Sequence, residues 1–74
     1  MRNSEWPQEY LDLKQVEIRN NEVRVKSSRG FYKGLACDTA IVDAQWINDA
    51  VVITYRNGIR VRYYGPYGSQ REQI

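Results

Sequence analysis

Histidine is absent from this chain of 74 residues, and cysteine occurs once, as Cys37. The commonest general base and the commonest metal ligand are therefore missing. A single cysteine forms neither an internal disulfide nor a multi-cysteine zinc site, and the sequence contains no phosphate-binding loop or dinucleotide fingerprint. We expect a protein that is not an enzyme and has no cofactor and no metal site, with Cys37 as a small, half-buried strand residue.

Long apolar runs are also missing. The longest is "AVVI" at residues 50–53, and the amino-terminal "MRNSEWPQEY" has no apolar stretch after its arginine. Because this pattern fits neither a signal peptide nor a transmembrane segment, we expect a cytoplasmic protein that does not contact membranes. Lysine and arginine exceed aspartate and glutamate only by 11 to 9, so any basic surface must come from how the charges are distributed.

A chain of this length has room for one domain. Residues 1–9 are polar apart from Trp6 and Pro7, and residues 69–74, "SQREQI", are polar and lack turn signals or periodicity. We predict that both segments are flexible polar tails around a single domain at residues 10–68. Within that domain, turn residues recur at short intervals and β-branched and aromatic residues dominate, which is typical of a small all-β fold.

The first hairpin is predicted around Asn20 and Asn21, because asparagine tolerates the positive φ angles of a two-residue type I′ turn. The resulting register pairs Arg19 with Glu22 and Glu17 with Arg24 on one face. The other face carries four aliphatic residues: Val16, Ile18, Val23 and Val25. Since the charges on its exposed face cancel, we expect that face to be ordinary solvated surface and the aliphatic face to belong to the core.

A second hairpin is predicted around Asn57 and Gly58, in the stretch "VVITYRNGIRVRYYGPYG" at residues 51–68. A two-residue turn would mix apolar and charged residues on both faces. A three-residue loop with Gly58 in a left-handed bulge separates them, so we favour it. It places six apolar or aromatic residues on the core face: Val51, Ile53, Tyr55, Ile59, Val61 and Tyr63. The outer face then carries Ala50, Val52, Thr54, Arg60, Arg62 and Tyr64.

Residues 37–48 fit either a strand or a helix. Strand alternation puts four residues on one side: Ala40, Val42, Ala44 and Trp46. A helical spacing is followed by another set: Leu35, Thr39, Val42 and Trp46. The β-branched Ile41 and Val42 favour the strand. The fold class predicted is therefore all-β, a small five-stranded SH3-like barrel, with strands near residues 11–18, 22–28, 36–44, 50–56 and 59–64.

The segment "VRVKSSRGFYKGLACDTAIVDA" at residues 23–44 resembles the KOW and Tudor-type group of SH3-like barrels. In that group a strand leads into glycine, an aromatic residue, a basic residue and glycine, and then into a second strand. The residues that carry the match are Val23, Val25, Gly30, Phe31, Tyr32, Lys33, Gly34, Ala40 and Val42. Cys37 departs from the pattern, which commonly has another glycine there. The resemblance implies a module that binds RNA, DNA, ribosomal components or protein tails.

The candidate binding residues lie mainly in the second hairpin, since residues 51–68 contain no aspartate or glutamate. Arginine offers a planar fork of donors to phosphate, and tyrosine offers a ring on which a base can stack. The hairpin contributes Arg56, Arg60, Arg62, Tyr64 and Tyr67. The alternative is that these arginines only keep an exposed strand soluble.

The loop "GFYKG" is the second candidate, because Tyr32 and Lys33 would extend the basic surface. Its alternative is a plain turn with Phe31 inserted into the core. Together these features predict a small non-enzymatic module that binds nucleic acid through phosphate contacts and base stacking. The alternative function is a protein-interaction module that binds an acidic protein surface or self-associates.

Overall fold

The computed structural model describes residues 6–74, which form one short helix and seven strands. Their bounds are α1 (Gln8–Leu13), β1 (Gln15–Arg19), β2 (Glu22–Lys26), β3 (Tyr32–Cys37), β4 (Ile41–Ile47), β5 (Ala50–Tyr55), β6 (Arg60–Tyr64) and β7 (Gln70–Gln73). A single 3₁₀ turn, Pro66–Gly68, precedes β7. No helix in the described part of the chain is long and apolar enough to cross a membrane.

The strands form two antiparallel sheets, one in the order β1-β2-β3 and one in the order β4-β5-β6-β7. The all-β prediction is confirmed, but residues 6–74 show seven strands in two ladders rather than five strands in a closed barrel. One reason is a turn inside the strand predicted near residues 36–44. There, the Asp38 side chain accepts a hydrogen bond from the Ala40 amide at 2.7 Å, which separates β3 from β4. The other reason is β7, which extends the second sheet.

The first hairpin has the predicted register at all five pairs, from Gln15 opposite Lys26 to Arg19 opposite Glu22. Asn20 and Asn21 adopt φ angles of 53° and 66°, as a type I′ turn requires. Val23 and Val25 are completely buried. Turn chemistry and alternation therefore agree, and the predicted register is confirmed, but Ile18 of the predicted core face is 40% exposed.

The second hairpin has the bulged register, with Val51 opposite Tyr63 and Ile53 opposite Val61. Its loop is closed by the Tyr55 amide, which donates to the Ile59 carbonyl at 2.8 Å. The predicted faces differ at three residues, because the outward Ala50 and Val52 are each only 1% exposed, whereas Ile59, assigned to the core face, is 39% exposed. Val52 lies mid-sheet between Gln45 of β4 and Arg62 of β6, and such flanking residues cover even an outward side chain.

Residues 41–47 form a strand rather than a helix, but the predicted alternation breaks at Val42. The register shifts between Ile41, opposite Tyr55, and Asp43, opposite Thr54. This bulge leaves Val42 53% exposed and turns Ile41 into the core. The inward residues of β4 are therefore Ile41, which belongs to the buried core, and Ala44 and Trp46, which are partly buried and pack against it.

Both predicted tails contain ordered structure. Residues 1–5 of the amino-terminal tail lie outside the described residues, but Trp6 is only 1% exposed. Residues 8–13 form α1 instead of the start of a strand, because the Pro7 carbonyl accepts the Tyr10 and Leu11 amides and Lys14 ends the helix in a left-handed conformation. At the other end, residues 70–73 pair with β6, which corrects the predicted carboxy-terminal tail.

The core lies between the two sheets and is closed at one end by aromatic rings. Trp6 contacts Tyr10 and Trp46 edge-on, each with ring centroids 5.4 Å apart, and Tyr67 contacts Tyr10 at 5.9 Å. Trp46 and Trp6 together thus cover one end of the core. On one side of the molecule β1 packs beside β4, whereas β3 and β7 are the other edges of their sheets.

Candidate functional site

The outer face of the four-stranded sheet carries three of the predicted residues on β6. Arg60 lies opposite Thr54 and Arg62 opposite Val52, and Tyr64 follows two residues further along. Residues at this spacing point to the same side of a strand, about 7 Å apart. The predicted row of two arginines and a tyrosine is therefore one continuous strip of surface.

Arg62 is held on both sides within this strip. Its Nε and Nη2 atoms lie 2.8 and 2.7 Å from Glu72 Oε2. Its guanidinium carbon stands 4.5 Å from the centre of the Tyr64 ring. Glu72 lies opposite Arg62 on β7. This carboxylate therefore belongs to residues 69–74, the segment predicted to be a tail. The sheet face is consequently less basic than residues 51–68 suggest by themselves.

Arg60 differs from Arg62 because no carboxylate of residues 6–74 lies within ion-pair distance of its exposed side chain. Arg56 has another role. Its Nη2 donates to the Thr39 carbonyl at 3.1 Å, and its amide donates to the Ala40 carbonyl at 2.7 Å. Arg56 therefore ties the hairpin loop to the turn between β3 and β4, and only part of its donor capacity faces solvent.

Tyr67 is separate from this strip, because it lies in the 3₁₀ turn with a φ of 55° and contacts Tyr10 in the aromatic end of the core. It is still 48% exposed. Its ring therefore has both a structural contact and a free face.

Tyr32 and Lys33 lie on β3, in the other sheet. The Tyr32 ring is covered by the Arg24 guanidinium, whose central carbon lies 4.4 Å from the ring centre. Arg24 in turn donates from Nε to Glu22 at 2.8 Å, and this hydrogen bond raises the pKa of Arg24. The seven predicted binding residues therefore do not form one surface. They lie on the two sheets and at the end of the core that is closed by aromatic rings.

Phe31 is not a core residue, since 62% of its surface is exposed. The reason is the buried Ser27, whose Oγ accepts hydrogen bonds from the Arg29 and Phe31 amides at 3.2 and 3.1 Å. These bonds fix the turn before β3 and direct Phe31 outward. Cys37, predicted to be half-buried, is exposed at the end of β3, where the strand gives way to the Asp38 turn.

An open cleft of about 330 Å³ lies on the inner face of the four-stranded sheet, beside β7. Its lining residues are Tyr55, Val61, Tyr63, Arg71, Glu72 and Gln73. Burial raises the pKa of Tyr55, and the neighbouring Tyr63 raises it further. Sequence reasoning missed the three residues from β7, because "SQREQI" is polar at every position before the last and has no apolar alternation that would signal a strand.

Comparison with known proteins gives no match: neither a family model, nor a curated protein, nor a solved structure is similar to this chain.

Proposed function

We propose that this protein is a small non-catalytic binding module whose partner is nucleic acid, bound on the outer face of the four-stranded sheet. The observation that carries the proposal is the strip formed by Arg60, Arg62 and Tyr64 on β6. It combines donors for phosphate with a flat stacking surface on one side of one strand.

The contacts of Arg62 support a defined way of binding. Glu72 and Tyr64 hold its guanidinium in one position, so less side-chain entropy is lost when a partner binds. The guanidinium plane covers one face of the Tyr64 ring, and bases stack on arginine planes as well as on aromatic rings. We therefore assign stacking to the Arg62–Tyr64 pair and a phosphate contact to Arg60.

Support from the resemblance to the KOW and Tudor-type group concerns β2, β3 and the turn between them. In that segment Val23 and Val25 are core residues, and Gly30 has a φ of 93°. We propose that the chain is a distant, opened variant of such an SH3-like barrel. Since that group consists of binding modules, this relationship favours a non-catalytic function.

The test is a titration of short single-stranded DNA and RNA, followed by fluorescence anisotropy, between about 50 and 300 mM salt. We expect the affinity to fall with salt at a logarithmic slope of about −0.7, as one phosphate contact on a single strand would give. The double variant Arg60→Gln, Arg62→Gln should bind about tenfold more weakly, with a flatter slope.

The single variant Arg60→Gln has a matched control in Arg19→Gln, which removes one exposed strand arginine from the outer face of the other sheet. This control should retain most of the affinity. Binding that is absent, that does not depend on salt, or that falls equally in Arg19→Gln and Arg60→Gln would refute the proposed site.

A second candidate is a protein-interaction module that binds an acidic surface or self-associates, and the observation that favours it is the pair of sheet edges. β3 and β7 each have a neighbour on one side only among the described strands, and such edges can pair with another chain. Light scattering over a range of protein concentrations would show self-association. For an acidic protein partner, Arg60→Glu with Arg62→Glu should abolish capture while the wild type shows no nucleic-acid affinity.

A further inference from the structure

The cleft beside β7 lies on the opposite face of the four-stranded sheet from the strip proposed for nucleic acid. The pairing of Val61 with Gln73 and of Tyr63 with Arg71 places these side chains on the inner face. The buried Tyr63 shows that this face is the core side, and the cleft opens where the core ends. Its volume of about 330 Å³ is at the small end of the range for pockets that bind small molecules.

The charge of the cleft comes from Arg71. No carboxylate in the described part of the chain forms an ion pair with it. Glu72 contributes to the lining, but its carboxylate is bonded to Arg62 on the other face of the sheet. The Arg71 guanidinium therefore has no ion-pair partner among the described residues, and it lies near enough to Tyr55 for its charge to act on that phenol, as the Asp38 carboxylate also does.

The remaining lining supplies flat and polar surface. Tyr55 and Tyr63 are neighbouring phenols, Val61 is apolar, and Gln73 has a carboxamide. Aromatic rings favour a planar partner, and phenol and amide groups donate hydrogen bonds to an anionic oxygen. A planar guanidinium binds carboxylate and phosphate with two parallel hydrogen bonds. Together, these lining groups favour a ligand that combines a planar ring with a carboxylate or a phosphate.

We propose that this cleft is a binding site for a small planar molecule that carries a single carboxylate or phosphate, with the anion on Arg71 and the ring against Tyr55 and Val61. A competing explanation is that Arg71 points inward only to protect an edge strand from pairing with other chains. That explanation predicts no saturable ligand binding, so a binding experiment separates the two.

The probes are benzoate and phenyl phosphate, followed by amide NMR spectra of the isotope-labelled full chain. We expect saturable shifts confined to the residues around the cleft, and the relative affinities of the two probes identify carboxylate or phosphate as the preferred anion. Benzyl alcohol, which has the ring but no charge, should bind at least tenfold more weakly than benzoate. Inorganic phosphate, which lacks the ring, should bind at least tenfold more weakly than phenyl phosphate.

Arg71→Gln should weaken binding of the preferred probe at least tenfold, whereas Arg19→Gln, which removes an equal charge far from the cleft, should leave it unchanged. Any one of four results would overturn the site: no saturable shift, equal binding of the neutral probe, equal binding of inorganic phosphate, or unchanged binding by Arg71→Gln. The comparison of probes uses the wild-type protein and therefore stands even if the variant misfolds. Because the cleft and the outer strip are on opposite faces, this result is independent of nucleic-acid binding.

Discussion

The outer faces of the two sheets carry the same arrangement of three side chains: a carboxylate bonded to a guanidinium that lies over a tyrosine ring. In the three-stranded sheet these are Glu22, Arg24 and Tyr32, with the guanidinium carbon 4.4 Å from the ring centre. In the four-stranded sheet they are Glu72, Arg62 and Tyr64, with the corresponding distance 4.5 Å.

The difference lies in where each carboxylate comes from. Glu22 is two residues from its arginine on the same strand, whereas Glu72 is ten residues away on β7. The second hairpin has no carboxylate in its own sequence, so the sequence predicted an outer face without acidic residues. The charge of a sheet face depends on the neighbouring strands as much as on the strand itself, so of the two arginines on β6 only Arg60 has no carboxylate partner among the described residues.

The largest effect that we expect concerns the contact between the two sheets, at Gly68. A Cβ added there would lie 2.6 Å from Cζ2 of the buried Trp6 and 2.9 Å from Cδ2 of Leu35 on β3, and the φ of Gly68 is +69°. Gly68→Ala should lower the free energy of unfolding by about 2 to 4 kcal/mol, through overpacking and left-handed strain together. Urea unfolding followed by tryptophan fluorescence measures this loss.

Gly58→Ala is the matched control for Gly68→Ala. Gly58 has a φ of +91°, but a Cβ there would meet nothing within 4 Å. Only the backbone strain remains, so we expect a loss of about 1 to 2 kcal/mol. An equal loss in both variants would mean that Trp6 and Leu35 are not packed against Gly68 as described.

The second prediction sharpens the comparison of the two carboxylates. Glu22→Gln and Glu72→Gln should each lower stability by no more than about 1 kcal/mol, because both ion pairs are partly exposed. Their effects on nucleic-acid affinity should differ. Glu72→Gln removes a negative charge beside Arg62 and should strengthen binding a few-fold, whereas Glu22→Gln should leave it unchanged.

The affinity measurement for this pair is the salt titration described above, made at the lowest salt concentration. Weaker binding by Glu72→Gln would show that Glu72 contributes mainly by holding Arg62 in position. Equal strengthening by both variants would show that binding responds to total charge rather than to the Arg60 and Arg62 strip.

The smallest expected effect is at alkaline pH. Burial raises the pKa of Tyr55, with Tyr63 adding to the shift, and burial also raises the pKa of Tyr10. Tyrosine in the unfolded chain titrates near pH 10, so this contribution to stability is fully present below about pH 10 and is lost as the pH rises through the raised folded pKa.

Urea unfolding at several values between about pH 8 and pH 11 should show this decline. Tyr55→Phe cannot ionise, so it should lose stability less steeply, and Tyr10→Phe combined with Tyr55→Phe less steeply still. An unchanged pH dependence in the double variant would contradict the role of these two phenols.

The local features of the fold were predictable from the sequence because they depend on neighbouring residues. Asn20 with Asn21 specified one hairpin, and Gly58 with the alternation around it specified the bulged register of the other. Both registers follow from turn conformation and from the side-chain period of two along a strand. The strip of Arg60, Arg62 and Tyr64 was predictable for the same reason.

Only the tertiary structure decided what surrounds these local features. β7 has no apolar alternation, and it is a strand because β6 offers it a hydrogen-bonding edge. That pairing brings Glu72 to Arg62 and Arg71 to the cleft. Trp6 likewise belongs to the core only because α1, β4 and the Pro66–Gly68 turn place Tyr10, Trp46 and Gly68 around it. Contacts between residues distant in sequence are set by the packing of whole elements, which no short stretch of residues specifies.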